Sequence, residues 1–126
     1  MFIERSNNII QDLSKQFAIR IIKFYKHLYE DKHETVLSKQ ILRSGTSIGA
    51  NIRESLHAPS KADFINKLNI ALKEADETKY WLEILYESEI INVEAFNSLV
   101  ADNQQIIATL VKIIKTTKEN LKAAKQ

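Results

Sequence analysis

Apolar residues recur along this chain at helical rather than strand-like intervals, in four blocks separated by short polar stretches. In the first block Ile10, Leu13, Phe17, Ile21, Phe24 and Leu28 follow at steps of three and four, which predicts a helix from about Asn8 to about Asp31. The polar run Glu30-Asp-Lys-His-Glu34 ends it. Thr35 is the predicted N-cap of a second helix, and Pro59 sets its stop near His57 by pushing the preceding residue out of helical geometry. Ser60 followed by Asp63 has the form of a capping box. It opens a third helix whose seam is Phe64, Leu68, Ala71, Ala75, Thr78, Leu82 and Leu85 and whose end falls near Glu89. Asn92 caps a fourth, with Phe96, Leu99, Val100, Ile106, Ile107, Leu110 and Ile114 facing inward and a tail expected to fray after Leu121. Connections of about three to five residues make sequential helices antiparallel neighbours. The pattern therefore predicts an all-α, antiparallel up-down-up-down four-helix bundle, one domain over residues 1–126.

Two faces do not fit a bundle that stands alone. At 100° per residue, Ile41, Gly45, Ile48, Gly49, Ile52 and Leu56 form the core stripe of the second helix. Its other side carries Arg43, Ser47, Asn51 and Glu54, flanked by Ser44 and Ala50, where a solvated helix would carry long Lys and Glu. The third helix has a second stripe, Ile70, Glu74, Glu77, Trp81 and Ile84, rotated about 100° from its seam. Exposed Trp and Ile in line mark a contact surface, and the carboxylates between them call for cations. The expectation is that Arg43, Ser47, Asn51 and Glu54 meet Glu74, Glu77 and Trp81, within or between subunits, as a buried polar network in a homo-oligomer. The alternative is a set of partly wet ion pairs, each contributing under about 1 kcal/mol.

Composition narrows the class. Two Gly and one Pro leave almost no turn chemistry for strands, and no cysteine is present to form disulfides or thiolate metal sites. No basic leader or run of about 18 apolar residues occurs, so a soluble, cytoplasmic protein with no membrane association is expected. The formal net charge is only +2, but it is unevenly spread: Ser60 to Glu89 holds seven acids against four lysines, whereas after Asn103 there are five lysines and one glutamate. Lys112, Lys115, Lys118, Lys122 and Lys125 share an arc of roughly 140° on the fourth helix. Such a stripe suits backbone-directed, salt-sensitive binding of RNA or DNA, because no aromatic platform accompanies it. As a solvated face, it is equally favourable near a helix C-terminus.

Catalytic and metal readings find little support. Glu30-x-x-His33 and Glu54-x-x-His57 match the Glu-x-x-His pattern of di-iron bundles, with Glu74 and Glu77 as further carboxylates. An up-down bundle puts His33 and His57 at opposite ends, about 30 Å apart at 1.5 Å per residue. The serines have no glycine elbow or adjacent base, and Gly45-x-x-x-Gly49 lies inside a helix without the Lys-Ser/Thr ending of a nucleotide loop. No enzymatic activity, cofactor or metal is expected.

The run Leu42-Arg-Ser-Gly-Thr-Ser-Ile-Gly-Ala-Asn-Ile-Arg-Glu-Ser55, then Ser60-Lys-x-Asp-Phe64, then Ala71-Leu-Lys-Glu-Ala-x-Glu-Thr-x-Tyr-Trp-Leu82, resembles the four helix bundle protein family, also called 23S rRNA intervening-sequence proteins. That family is similar in turn to the accessory variability proteins of diversity-generating retroelements. The resemblance implies a bundle able to assemble into a pentameric ring, with a basic surface suited to nucleic acid or to a reverse-transcriptase partner. The family's Arg, Ser, Asn and Glu fall on Arg43, Ser47, Asn51 and Glu54, and its Glu, Glu and Trp on Glu74, Glu77 and Trp81. Gly45 and Ser55 stand where Ala is more usual, a small-for-small change expected to leave packing intact. Two functions follow: an oligomer that binds RNA or DNA, or a protein-interaction scaffold without a direct nucleic-acid role.

Overall fold

The computed structural model describes residues 2–124. Four helices account for most of them: α1 (Phe2–Lys26), α2 (Leu37–Ser55), α3 (Lys61–Glu87) and α4 (Val93–Ala124). Each packs on its chain neighbour, and α4 closes back on α1, so the antiparallel up-down-up-down bundle expected from the spacing is what forms. Its interior is the predicted one for the most part: Ile10, Phe17, Ile21, Leu28, Ile41, Ile48, Ile52, Leu68, Leu82, Leu85, Ile106 and Leu110 are all shielded from solvent.

Local chemistry explains the ends, with corrections. α1 begins at Phe2, ahead of the expected Asn8, and finishes in a π-helical turn, His27–Asp31, that the spacing did not reveal. Thr35 does not cap α2. The N-cap position is Val36, which makes no side-chain cap bond; Glu34 supplies the missing acceptor, its Oε1 accepting the Ser38 backbone N–H at 2.7 Å, while the Ser38 hydroxyl donates to the Glu34 carbonyl at 2.6 Å. Ser60 caps α3 as expected, accepting the Asp63 N–H at 3.1 Å and donating to the Asp63 carboxylate at 2.7 Å. α3 ends in a Schellman pattern, with Ile90 N–H on the Leu85 carbonyl at 2.9 Å and Glu89 N–H on Tyr86 at 3.0 Å. That motif puts Glu89 in the left-handed region (φ 62°), a place usually given to glycine. Asn92 Oδ1 accepts the Ala95 N–H at 2.8 Å, as predicted for the cap of α4. The tail after Leu121 does not fray at once, since α4 stays helical to Ala124.

The core is more polar than its pattern suggested. Leu56, assigned to the α2 stripe, is 37% exposed, while Ser44, assigned to the polar flank, is completely buried together with Ser38, Ser55, Thr78 and Asn103. The α2 stripe is therefore turned further toward α3. The Thr78 hydroxyl lies 2.9 Å from Ser44 Oγ and 2.8 Å from the Glu74 carbonyl. Both contacts are satisfied when Thr78 donates to the carbonyl and accepts from Ser44. Asn103 Nδ2 donates to the Ala75 carbonyl at 2.9 Å, and its Oδ1 has neither solvent nor a partner in the structure. At Gly45 a Cβ would stand 2.9 Å from both γ-carbons of Ile21, and at Gly49 it would stand 3.3 Å from Ser14 Oγ. The two glycines let α1 and α2 approach closely, so an alanine at position 45 would require Ile21 to shift.

Candidate functional site

The second stripe of α3 lies in the shallow groove between α2 and α3. Ile70, Glu74, Glu77, Trp81 and Ile84 are all half-buried rather than open, and Arg43 of α2 lies against the middle of the stripe. Arg43, one turn from Ser47 on α2, spans the groove and binds both carboxylates: Nη1 donates to Glu74 at 3.2 Å and Nη2 to Glu77. The pairing foreseen for these three residues is thus made within one chain. Its shielding is unequal, since the side chains of Arg43 and Glu77 keep 52% and 36% of their accessible surface and Glu74 keeps 19%.

Ser47, Asn51 and Glu54 do not join this cluster. The Ser47 hydroxyl donates to the Ser44 carbonyl at 3.0 Å, and Asn51 Nδ2 donates to the Ser47 carbonyl at 2.9 Å, so both turn back to their own helix. Glu54 faces Lys67 at 3.6 Å. Sequence spacing did not identify Lys67 as a partner, although its place one turn before Ile70 and Ala71 on α3 puts it at the same groove. Trp81 packs its ring edge-on against Tyr80, with centroids 5.2 Å apart and planes at 67°. Its indole N–H is out of solvent and makes no hydrogen bond of normal geometry, but it lies close enough to the Glu77 carboxyl to favour the charged form.

Electrostatics in this seam follow from the geometry. Burial pushes the Glu77 carboxyl up, but the Arg43 hydrogen bond and charge together outweigh it, with help from Glu74 and the nearby indole, and hold it below the usual carboxylate range. Arg43 is held above its ordinary value, first by the Glu77 hydrogen bond, against the opposing effect of its own partial burial. A carboxylate with a depressed folded value stabilises the fold above its unfolded value and loses that contribution as pH falls through the folded one. Given the exposure, the contribution is about 1 kcal/mol or less. Glu77→Gln is therefore expected to melt slightly below the parent at neutral pH, with the gap closing on acidification. A gap that stayed the same down to strongly acidic pH would mean that the Arg43 pairing adds nothing to stability.

A second feature is the distribution of charge along the bundle. Thr117 borders a hollow with Leu56, Ser60 and Lys61, so the last turns of α4 lie beside the α2–α3 turn. At this end Arg53, Lys61, Lys67, Lys115, Lys118 and Lys122 outnumber Glu54, Asp63 and Glu119. At the opposite end Glu30, Asp31, Glu34, Glu83, Glu87, Glu89 and Glu94 outnumber Lys23, Lys26, Lys32 and Lys39. Lys112, Lys115, Lys118 and Lys122 are all exposed on α4, and Lys125 lies outside the described residues. The two Glu-x-x-His segments lie at opposite ends of α2, about 28 Å apart for a helix of this length. Among the described residues no group of three or more His, Cys, Asp or Glu is placed to hold a metal ion, and no helix is long and apolar enough to cross a membrane.

The Arg43 cluster and most of the four helices lie within a stretch that family comparison addresses directly. Residues 6–112 match the profile of the 23S rRNA-intervening sequence protein family. The chain belongs to this family. A solved structure from Bacteroides thetaiotaomicron, described as a protein of unknown function from the S23 ribosomal protein family, is 56% identical. The match covers 87% of this chain and 98% of that one, with a TM-score of 0.87. Among curated proteins, none matches. Membership accounts for the joint spacing of the three sequence blocks and for the bundle. The family match ends at Lys112, so Lys115, Lys118 and Lys122 lie on α4 beyond the matched residues.

Proposed function

We propose that this 23S rRNA-intervening sequence family protein is a non-enzymatic, cytoplasmic, homo-oligomeric bundle that binds RNA or DNA through the basic end of its fold. The carrying observation is the row of exposed lysines on the last turns of α4 beside the α2–α3 turn, against an acidic opposite end. Several copies in a symmetric assembly, such as the pentameric ring that the family resemblance implies, would repeat this row and raise the local positive potential. No exposed aromatic accompanies these lysines on α4, so contact is with phosphates rather than bases.

Lys115→Gln, Lys118→Gln and Lys122→Gln combined are expected to weaken retention of a generic single-stranded RNA at low salt. The slope of log affinity against log salt should flatten by about 0.7 per lost phosphate contact. The substitutions lie on the exposed face, so the melting temperature should hold. Binding by the triple variant with unchanged affinity and slope would remove the α4 row from the reading. A second reading, a scaffold for a protein partner such as a reverse-transcriptase-type enzyme, is favoured by the half-buried Trp81, Ile70 and Ile84 in the α2–α3 groove. It predicts association that is insensitive to salt.

A further inference from the structure

The groove between α1 and α2 has no part in the Arg43 cluster or the α4 lysine row. It is a hollow of about 490 Å³, bordered by Gln11, Lys15 and Ala18 on α1 and by Gly49, Ala50 and Arg53 on α2. Gly49 and Ala18 make its floor shallow and free of charge. Its rim is cationic. Lys15 and Arg53 are exposed, and among the described residues neither makes an ion pair or hydrogen bond, nor does the Gln11 carboxamide. This sets Arg53 apart from Arg20, which is tied to Asp102 and Ser98, and from Arg43, which is tied to Glu74 and Glu77. Glu54 also borders the groove, but its carboxylate is turned to Lys67 on α3.

Register fixes the spacing of the two cations. Gly49 stands against Ser14, so in this antiparallel pair Arg53 lies beside Gln11, and Lys15 follows roughly 6–8 Å along the axis at about 1.5 Å per residue. Two unpaired cations offset by that much along the groove, with an amide donor beside the first and an uncharged floor below, match successive phosphates of an extended strand rather than one compact anion. Arginine supplies a planar fork for phosphate oxygens and lysine a point charge. The floor offers neither an aromatic ring for stacking nor buried polar groups for reading a base edge.

The geometry points to the α1–α2 groove as a second phosphodiester-binding site, in which Arg53 and Lys15 hold neighbouring phosphates of a single strand and Gln11 donates to an oxygen of the phosphate that Arg53 holds. The site rests on the nucleic-acid reading above and extends it to a different face of the bundle. It makes the protein a two-surface binder, with a strand passing from the groove toward the α2–α3 turn that Arg53 approaches.

The test is equilibrium binding of fluorescein-labelled oligouridylate and oligothymidylate to the full chain across a salt series. The variants are Lys15→Gln/Arg53→Gln, Ala50→Glu and the α4 triple variant. All groove substitutions are at exposed positions, and thermal melting verifies that they fold. The double variant is expected to bind severalfold more weakly, with the salt slope reduced by about 1.4, twice the single-strand value of about 0.7 per contact. Ala50→Glu should weaken binding further by placing a carboxylate at the groove. Equal losses for the two probes identify the shared phosphodiester as the ligand. Unchanged affinity and slope in both groove variants, while the α4 triple variant loses binding, would overturn the groove and leave the nucleic-acid reading standing. Failure of the parent protein to bind either strand at low salt would overturn both. Displacement of the strand from the parent protein by polyglutamate as readily as by polyphosphate at matched charge concentration would show a site unselective for phosphate and would also overturn it.

Discussion

A valine in place of Gly45 is expected to lower the melting temperature by about 10 °C. A Cβ there would lie 2.9 Å from the Cγ1 and Cγ2 of Ile21, and valine adds two more carbons in the same direction. Ile21 cannot swing away, because it is branched at Cβ and completely buried. Overpacking of this kind destabilises by about 1–3 kcal/mol, and each kcal/mol shifts a domain of this size by roughly 3–6 °C. Gly45→Ala sets about 1 kcal/mol of helix propensity against a milder form of the same collision, so its net change is small. Ile21→Leu, unbranched at Cβ, should recover part of the loss in the valine variant. Thermal unfolding followed by circular dichroism measures all three. A valine variant that melted with the parent would show that α1 and α2 do not touch at this point.

Asn103→Asp is expected to cost more, about 3–5 kcal/mol at neutral pH, because it leaves a charge buried without a partner. The asparagine is 1% exposed, its Nδ2 donates to the Ala75 carbonyl, and its Oδ1 is already unpaired. An aspartate would set a carboxylate oxygen against that carbonyl. Burial raises the folded pKa of such an acid above its unfolded value, so the penalty is complete above the folded value and shrinks as pH falls. Near the unfolded value the protonated acid can donate to Ala75 as the amide did. The variant should therefore come closest to the parent in acid. Asn103→Leu removes the orphaned oxygen and is expected to be neutral or mildly stabilising. Urea unfolding at neutral and acidic pH separates these outcomes, and an aspartate variant as stable as the parent at neutral pH would mean that water reaches position 103.

Helix number, order and direction were legible in the sequence, because three-four spacing and short links determine them with little help from tertiary detail. The caps at Ser60 and Asn92 were legible for the same reason, being local hydrogen bonds between near neighbours. Glu34 was not, since a glutamate reaching forward to Ser38 gives no pattern that distinguishes it from a surface acid. Ser44 and Thr78 show the limit of periodicity. An apolar stripe locates the face of a helix only to within a residue or so, and a small hydroxyl on its edge can lie on either side. The Arg43 pairing with Glu74 and Glu77 was readable as matched charge on two odd faces, whereas the diversion of Ser47, Asn51 and Glu54 depended on rotamers and on Lys67. The α1–α2 groove was not visible at all. It arises from the relative height of two helices, which the glycine contacts set and the sequence pattern does not.

The uneven placement of acid and base along the bundle has a consequence for how molecules meet. A rod with opposite charge at its two tips feels a torque near any highly charged body, so it is aligned before it arrives and reaches a polyanion tip first at low ionic strength. Two such rods lying side by side prefer to point in opposite directions. Any ring in which all copies point the same way must overcome that preference through short-range packing, and added salt, by weakening the repulsion between like tips, makes such a ring easier to close.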